Sequence, residues 1–297
     1  MADSGPAFDI GDAAAFVGRT ETREAVAHPE PARLLLATLD RDDRALAAGE
    51  PLPLLWHWLY FPPRTRQSRL GEDGHTHDSE LLPVLPFLPR RMWAGSRLRA
   101  SAPLRIGDRV TRRSTLAALR PKLGKSGRLL FVTLRHELSG SVGGSLVEEQ
   151  DLVFREPPRD APPPAPATPP RPADIERTVI PTPPLLFRFS ALTFNGHRIH
   201  YDHPYATQVE GYEGLVVHGP LIAVLMLDLV DRAYPGRRVA GFDFAAHRPA
   251  FAPHPLAVKA ADGPAGADVW VESAGGIASM GRVVFDDTRH NSTGFRD

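Results

Sequence analysis

The stretch that decides the fold is PLIAVLMLDLVDRA, residues 220–233. A glycine precedes its first proline, and the ten residues from Leu221 to Val230 contain one charged side chain, Asp228. Proline near the first turn, followed by strong helix formers, predicts a helix. Because such a helix is apolar on nearly all sides, other elements must cover it.

Four strand-like runs follow this helix in the chain. They are predicted at residues 238–248, 256–261, 267–273 and 278–286. A strongly curved antiparallel sheet built from these strands can cover the helix, which is the hot-dog arrangement.

The N-terminal half contains a similar set of elements. A helix is predicted at 32–39, and aromatic or β-branched runs predict strands at 54–61, 97–105, 108–119, 129–137 and 145–155. The C-terminal half begins with a run at 185–190 that also predicts a strand. We therefore predict an α+β double hot-dog fold, in which two antiparallel sheets are each wrapped around a helix.

The proline distribution predicts the domain boundary. The chain has 31 prolines in 297 residues, and nine of them fall between Pro157 and Pro172. No helix or central strand accommodates such a run, so it predicts an extended linker. We predict an N-terminal hot-dog without a catalytic role at 1–155, a linker at 156–174 and a catalytic hot-dog at 175–297.

The composition excludes several classes of function. Lys+Arg and Asp+Glu both number 35, so the formal net charge is zero, which argues against a nucleic-acid-binding protein. The absence of cysteine excludes disulfides, thiolate metal sites and a cysteine nucleophile. No apolar run approaches the about 20 residues that a membrane span needs. We predict a cytoplasmic protein.

The densest polar motif is SALTFNGHRIHYDHPYA, residues 190–206. It holds three histidines, an asparagine and an aspartate, and histidine suits proton transfer at neutral pH. The alternatives are a polar surface loop with scattered histidines, or histidines whose hydrogen bonds are satisfied in the core. A second motif, EGLVVHGPL at 213–221, leads into the predicted helix. The backbone N–H groups at such a helix start could bind an anion or a developing oxyanion, or form an ordinary helix cap.

Together these two motifs resemble the MaoC-like hydratases and the hydroxyacyl-thioester dehydratase type 2 family, especially its mesaconyl-C4-CoA and itaconyl-CoA hydratase branch. The N-terminal half carries the same resemblance in LPLLWHWLYF, LPRRMWAGSRL, FVTLRHEL and EEQDLVFR. It covers most of residues 10–290. It implies a double hot-dog fold with the active site in the C-terminal half.

The resemblance also implies the catalytic residues. His200 occupies the histidine position of the MaoC motif, and Asn195 occupies a position where that motif has aspartate. Because an amide cannot accept a proton at neutral pH, we assign the general base to His200 and the positioning of water to Asn195. Gly219 matches the glycine whose N–H polarises the thioester carbonyl. His197, His218, Arg91 and Trp93 are predicted to contact the substrate.

We therefore predict a hydro-lyase for a short or branched acyl-CoA thioester, with a C4–C5 dicarboxylic acyl group among the candidates. Coenzyme A enters as part of the substrate, and the chemistry needs no metal or redox cofactor. The alternatives are a 3-hydroxyacyl-carrier-protein dehydratase, a hot-dog thioesterase and a non-catalytic acyl-thioester-binding protein. A thioesterase would need a carboxylate at the site, and the motif provides none. A homodimer is a further prediction, since symmetric dimers are common.

Overall fold

The computed structural model describes residues 8–42, 46–76, 79–124, 127–156, 172–264 and 266–286. The strands are β1 (Thr20–Val26), β2 (Arg90–Ala102), β3 (Arg109–Gly124), β4 (Gly127–Gly140), β5 (Ser145–Arg155), β6 (Ile175–Val179), β7 (Val239–Ala246), β8 (Leu256–Gly263), β9 (Gly266–Ser273) and β10 (Gly276–Phe285). The helices are α1 (Pro29–Thr38), α2 (Pro183–Thr193) and α3 (Gly219–Ala233).

The ten strands form one antiparallel sheet, in the order β1-β3-β4-β5-β2-β7-β10-β9-β8-β6. The two predicted sheets are therefore joined edge to edge through β2 and β7, from Gly95 opposite Ala245 to Arg99 opposite Gly241. A Cβ atom on Gly95 would lie 2.2 Å from the carbonyl oxygen of Phe244. Only glycine lets the two strands approach this closely. Pairing at the junction removes one exposed edge from each half.

The helix predicted at 220–233 is present as α3 and lies in the core of the C-terminal half. All residues from Leu221 to Val230 are buried, and the helix packs against β6, β8 and β9. Asp228 is buried in the same helix, where it pairs with Arg41, Arg177 and Arg232. This charge is therefore compensated, as a buried carboxylate requires.

The N-terminal half departs further from a regular hot dog. Its helix α1 is short and packs against α2 and the 3₁₀ turn Trp56–Tyr60, with Leu35 and Leu36 in the same core cluster as α3. The far end of the sheet is instead covered by Leu81, Leu85 and Leu88, which form a second cluster. This irregular segment passes beside the C-terminal half and contributes to the site described below.

Two predicted strands were wrong. Residues 185–190 lie in helix α2, because Thr182 caps its first turn and Pro183 and Pro184 start the helix. The run at 54–61 contains the 3₁₀ turn Trp56–Tyr60 rather than a strand. Strands β1 and β6 were not predicted. The proposed linker at 156–174 falls mostly outside the described residues. Within the part of the chain that the structure covers, no helix is long and apolar enough to cross a membrane.

Candidate active site

His200 is the centre of the site that the sequence predicted. It ends the 3₁₀ turn Arg198–His200, and its side chain is buried. Its Nδ1 atom lies 2.7 Å from the carbonyl oxygen of Val216. Since a carbonyl oxygen can only accept, Nδ1 carries the proton and Nε2 keeps its lone pair. Burial lowers the pKa of His200 to about 4. The ring is therefore neutral at pH 7, and Nε2 can accept a proton.

The ring of His218 packs against one face of the His200 ring. The two rings stack with centroids 3.7 Å apart and an interplanar angle of 19°. The Nε2 atom of His218 lies 2.8 Å from the hydroxyl of Ser190 in α2, and burial lowers the pKa of His218 well below its usual range. We predicted that His218 contacts the substrate. Its side chain is 0% exposed, so it offers no surface to a ligand and instead holds the His200 ring in place.

The N-terminus of α3 lies directly beside this pair of rings. His218 is the N-cap residue, so Gly219 is the first residue of the helix. The N–H groups of the first helical turn have no intrahelical acceptor, and the helix dipole makes this end positive. The indole of Trp93 lies against it, 3.8 Å from where a Cβ of residue 219 would be. A neutral imidazole and the N–H groups of a helix start therefore lie close together, with an aromatic wall beside them.

Asn195 and His197 belong to the loop that leads to His200. The side-chain oxygen of Asn195 accepts a hydrogen bond from the N–H of His197 at 3.0 Å. This bond closes an Asx turn and leaves the amide NH₂ of Asn195 as the group that can contact water. His197 is buried, and its ring lies 5.3 Å from that of His200, measured between centroids. The predicted catalytic loop is thus assembled as one unit.

A second turn of the same kind comes from the N-terminal half. In Asp73-Gly74-His75, the Asp73 carboxylate accepts from the N–H of His75 at 2.9 Å, just as Asn195 accepts in Asn195-Gly196-His197. The two turns face each other, and the ring centroids of His75 and His197 are separated by 3.9 Å. The N–H of Arg198 also donates to the carbonyl of Asp73 at 2.9 Å. The site is therefore built from both halves of the chain.

Asp73 and His75 were not predicted from the sequence, because residues 62–92 show no regular periodicity. The signal that could have found them is the repeated Asx-Gly-His tripeptide. Their contact with residues 195–197 joins positions more than 100 apart and follows from no local pattern.

Asp73 and His75 also form a pair of their own. The other oxygen of Asp73 lies 3.1 Å from Nδ1 of His75. Burial alone would raise the pKa of Asp73, but the hydrogen bonds and charge of His75 outweigh it and hold that pKa below its usual range. Asp73, His75 and His197 offer ligand atoms within 4.8 Å of one another, a spacing that could hold a metal ion. The guanidinium of Arg91 interacts electrostatically with Asp73 and would oppose a cation there.

Arg91 and Trp93 lie on β2, where alternate side chains point to the same face of the sheet. Trp93 packs edge-to-face on Trp58 and on Phe244, so residues from both halves hold its indole in place. Arg90, on the other face, pairs with Glu210 at 3.1 Å. The structure thus brings all seven predicted site residues into one region.

Comparisons with known proteins place this site in a family. The family profile "Hydroxyacyl-thioester dehydratase type 2" matches residues 55–252. The mesaconyl-C4-CoA hydratase of Chloroflexus aurantiacus is 47% identical over 238 residues, covering 80% of this chain and 84% of that protein. The crystal structure of HtdX from Mycobacterium tuberculosis superposes with a TM-score of 0.63 at 19% identity, covering 89% of this chain and 99% of HtdX.

The fold is confirmed by a further structure. A Mycobacterium tuberculosis protein described as a double hot dog superposes with a TM-score of 0.58 at 16% identity, covering 96% of this chain and 99% of that one. The helix wrapped by an antiparallel sheet, predicted from residues 220–286, agrees with it. The chain belongs to the hydroxyacyl-thioester dehydratase type 2 family.

Proposed function

We propose that this enzyme interconverts a short, branched 2-enoyl-CoA thioester and its 3-hydroxyacyl form, with dicarboxylic groups such as mesaconyl among its substrates. The observation that carries the proposal is the position of His200. Its Nδ1 is held by Val216, and its ring stacks on the N-cap residue of α3. A neutral base is thereby held next to the N–H group of Gly219. The mesaconyl-C4-CoA hydratase of Chloroflexus aurantiacus supports the substrate class.

In the hydration direction, Nε2 of His200 takes a proton from water while the water oxygen bonds to the β-carbon of the enoyl group. Negative charge then develops on the thioester oxygen, where the N–H of Gly219 and the dipole of α3 stabilise it. His200 returns the proton to the α-carbon, so that the elements of water are added and the enzyme is regenerated. The amide NH₂ of Asn195 orients the water. Dehydration is the reverse sequence.

For the thioesterase alternative, the structure supplies one feature in its favour and one against it. The structure brings a carboxylate, Asp73, to the site, although the local motif contains none. However, both of its oxygens accept hydrogen bonds from His75, and His75 and His197 lie between it and His200. A carboxylate whose oxygens already accept hydrogen bonds is a poor nucleophile toward the carbonyl carbon and a poor base for activating water. Hydration at the β-carbon therefore accounts better for this geometry.

The proposal is tested by incubating the protein with a panel of enoyl- and 3-hydroxyacyl-CoA thioesters and determining product masses. We expect a mass gain of one water from the enoyl substrates. His200→Ala should lower the rate about 10²–10⁴-fold. His203→Ala is the matched control, because it removes an exposed imidazole from the same loop. Release of free coenzyme A without a hydroxyacyl product would instead indicate a thioesterase.

Three finer features belong to the same proposal. Acyl carrier protein thioesters, included in the panel, test whether a carrier protein can replace coenzyme A. A homodimer is proposed on general grounds, and light scattering measures it. We also propose a cytoplasmic location, which the lack of cysteine favours.

A further inference from the structure

A small cavity adjoins the active site on the side of the N-terminal half. Its volume is about 40 Å³, and its polar wall includes Asp73, His75, Ser79 and Arg91. Since one water needs about 10–15 Å³ by this measure, the cavity has room for about three non-hydrogen atoms. That is the size of a carboxylate group. Its apolar wall includes Leu82, Leu88 and Phe154.

Arg91 supplies a positive charge to this cavity. Its guanidinium makes no hydrogen bond or ion pair with the residues that the structure describes, and the opposite charge that acts on it is that of Asp73. Both oxygens of Asp73 already accept hydrogen bonds from His75. Burial lowers the pKa of Arg91, but a guanidinium remains charged at pH 7. A charge held in this way favours an anionic partner, because burying it unpaired is costly.

Ser79 adds a neutral donor to the same wall. Its hydroxyl oxygen accepts from the backbone N–H groups of Leu81 and Leu82 at 3.2 and 3.1 Å. These bonds fix the oxygen and leave its proton able to donate to a ligand.

The position of Arg91 relative to Gly219 fits a carboxylate near the reacting carbons. Arg91 and Trp93 are alternate residues of β2, so their Cα atoms lie about 6.6 Å apart. Trp93 marks the thioester end of the site, because it packs against the start of α3. In a mesaconyl C4 thioester the free carboxylate is attached to the β-carbon, three bonds from the thioester carbonyl. The three bonds span about 3.8 Å, and a charge-assisted hydrogen bond adds about 2.8 Å. Their sum matches the separation of Arg91 and Trp93 along β2.

We propose that Arg91, assisted by the Ser79 hydroxyl, binds the free carboxylate of a substrate in which that group is attached to the β-carbon. This inference rests on the proposed function and adds the residue that selects dicarboxylic over neutral acyl groups. The apolar wall formed by Leu82, Leu88 and Phe154 covers the branching methyl group. A neutral acyl chain would leave the guanidinium without a hydrogen-bond acceptor, which disfavours the binding of that chain.

The test compares two substrates that differ only in this carboxylate. They are mesaconyl-C4-CoA and 3-methylcrotonyl-CoA, in which a methyl group replaces the carboxylate. Arg91→Met should lower kcat/KM for mesaconyl-C4-CoA about 10²-fold, as expected for loss of a charged hydrogen bond to the substrate. Hydration of 3-methylcrotonyl-CoA should stay the same or improve. Arg120→Met, which removes an exposed arginine from β3 of the same half, is the control and should change neither rate.

A second measurement uses the wild-type protein and does not depend on the variant's folding. The saturated analogues methylsuccinyl-CoA, with its carboxylate on the β-carbon, and isovaleryl-CoA are compared as competitive inhibitors. We expect the dicarboxylic analogue to bind the wild-type protein more tightly. In a separate comparison, Arg91→Lys should retain part of that preference. Equal inhibition by both analogues, or an equal loss of both activities in Arg91→Met, would overturn the inference and leave the hydro-lyase function intact. A wild-type protein that hydrates neither substrate would instead refute the proposed function.

Discussion

The contact between the two Asx-Gly-His turns makes one glycine decisive for activity. Gly74 has a φ of +84°, and a Cβ atom on it would lie 1.9 Å from the carbonyl oxygen of Gly196. For Gly74→Ala, the two turns must separate by about 1.5 Å to reach the 3.4 Å of ordinary van der Waals contact. Gly196 lies between Asn195 and His197. The displacement therefore passes directly into the loop that carries His200.

We expect Gly74→Ala to lower kcat/KM for hydration about 10²-fold, the loss typical of a 1 Å misplacement of catalytic groups. The positive φ adds a folding cost of about 1–2 kcal/mol, which corresponds to a fall of about 2–8 °C in Tm. Gly18→Ala separates the two effects. Gly18 has a φ of +88°, but a Cβ atom there would meet nothing within 4 Å.

The assay measures loss of the enoyl thioester's ultraviolet absorbance, with Tm recorded by circular dichroism for each variant. Both alanine variants should lose the stability that the positive φ costs, and Gly74→Ala should lose more because of its clash with Gly196. Activity should fall only in Gly74→Ala. If the two variants have the same kcat/KM while both are folded, the N-terminal turn does not position the catalytic loop. The two-half construction of the site would then be wrong.

Three further predictions concern individual side chains. His200 must be neutral to accept a proton, and burial holds its pKa at about 4. We therefore expect kcat/KM for hydration to stay level from pH 7 to about 5 and to fall about tenfold per pH unit below about 4. A decline centred near pH 6.5 would contradict this. Asn195→Asp keeps the oxygen that closes the turn, so it should retain more activity and a higher Tm than Asn195→Ala, and the reverse order would count against the turn. Burial would raise the pKa of Glu148, but His57 outweighs it and holds that pKa at about 2. Glu148 therefore stabilises the fold above its unfolded pKa of about 4.3, and this stability is lost as the pH falls toward 2. Glu148→Gln should lower the free energy of unfolding at pH 7 by about 3 kcal/mol and flatten its pH dependence in that window, as denaturant titrations would show.

Glu148 links the core of the N-terminal half to the active site. It accepts hydrogen bonds from Trp58 and Ser96 at 3.0 and 2.9 Å, in addition to its pair with His57. Trp58 in turn packs against Trp93 of β2, and the indole of Trp93 lies against the start of α3. The sheet of the N-terminal half therefore holds the aromatic wall of a site whose base comes from the C-terminal half.

The sequence by itself determined the elements whose signals are local. Helix α3 could be predicted because ten nearly unbroken apolar residues follow Gly219 and Pro220, whatever they pack against. The strands β3, β4 and β5 carry β-branched and aromatic runs of sufficient length. Local motifs also contain Asn195, His200 and Gly219, and the resemblance to the family identified these residues. Residues 185–190 show the limit of local signals: two alternating phenylalanines suggested a strand, but Thr182 and the two prolines that follow it start a helix.

Only the tertiary structure decided which distant segments meet. No local pattern pairs β2 with β7, because strand pairing across a junction depends on the shape of both edges. The same holds for Asp73 and His75, which reach His197 from an aperiodic segment more than 100 residues away. Arg91 lines a cavity together with Asp73 and Phe154, which come from other parts of the chain. A charge becomes selective when its surroundings exclude water and leave it without a protein partner, and chain order alone specifies neither condition.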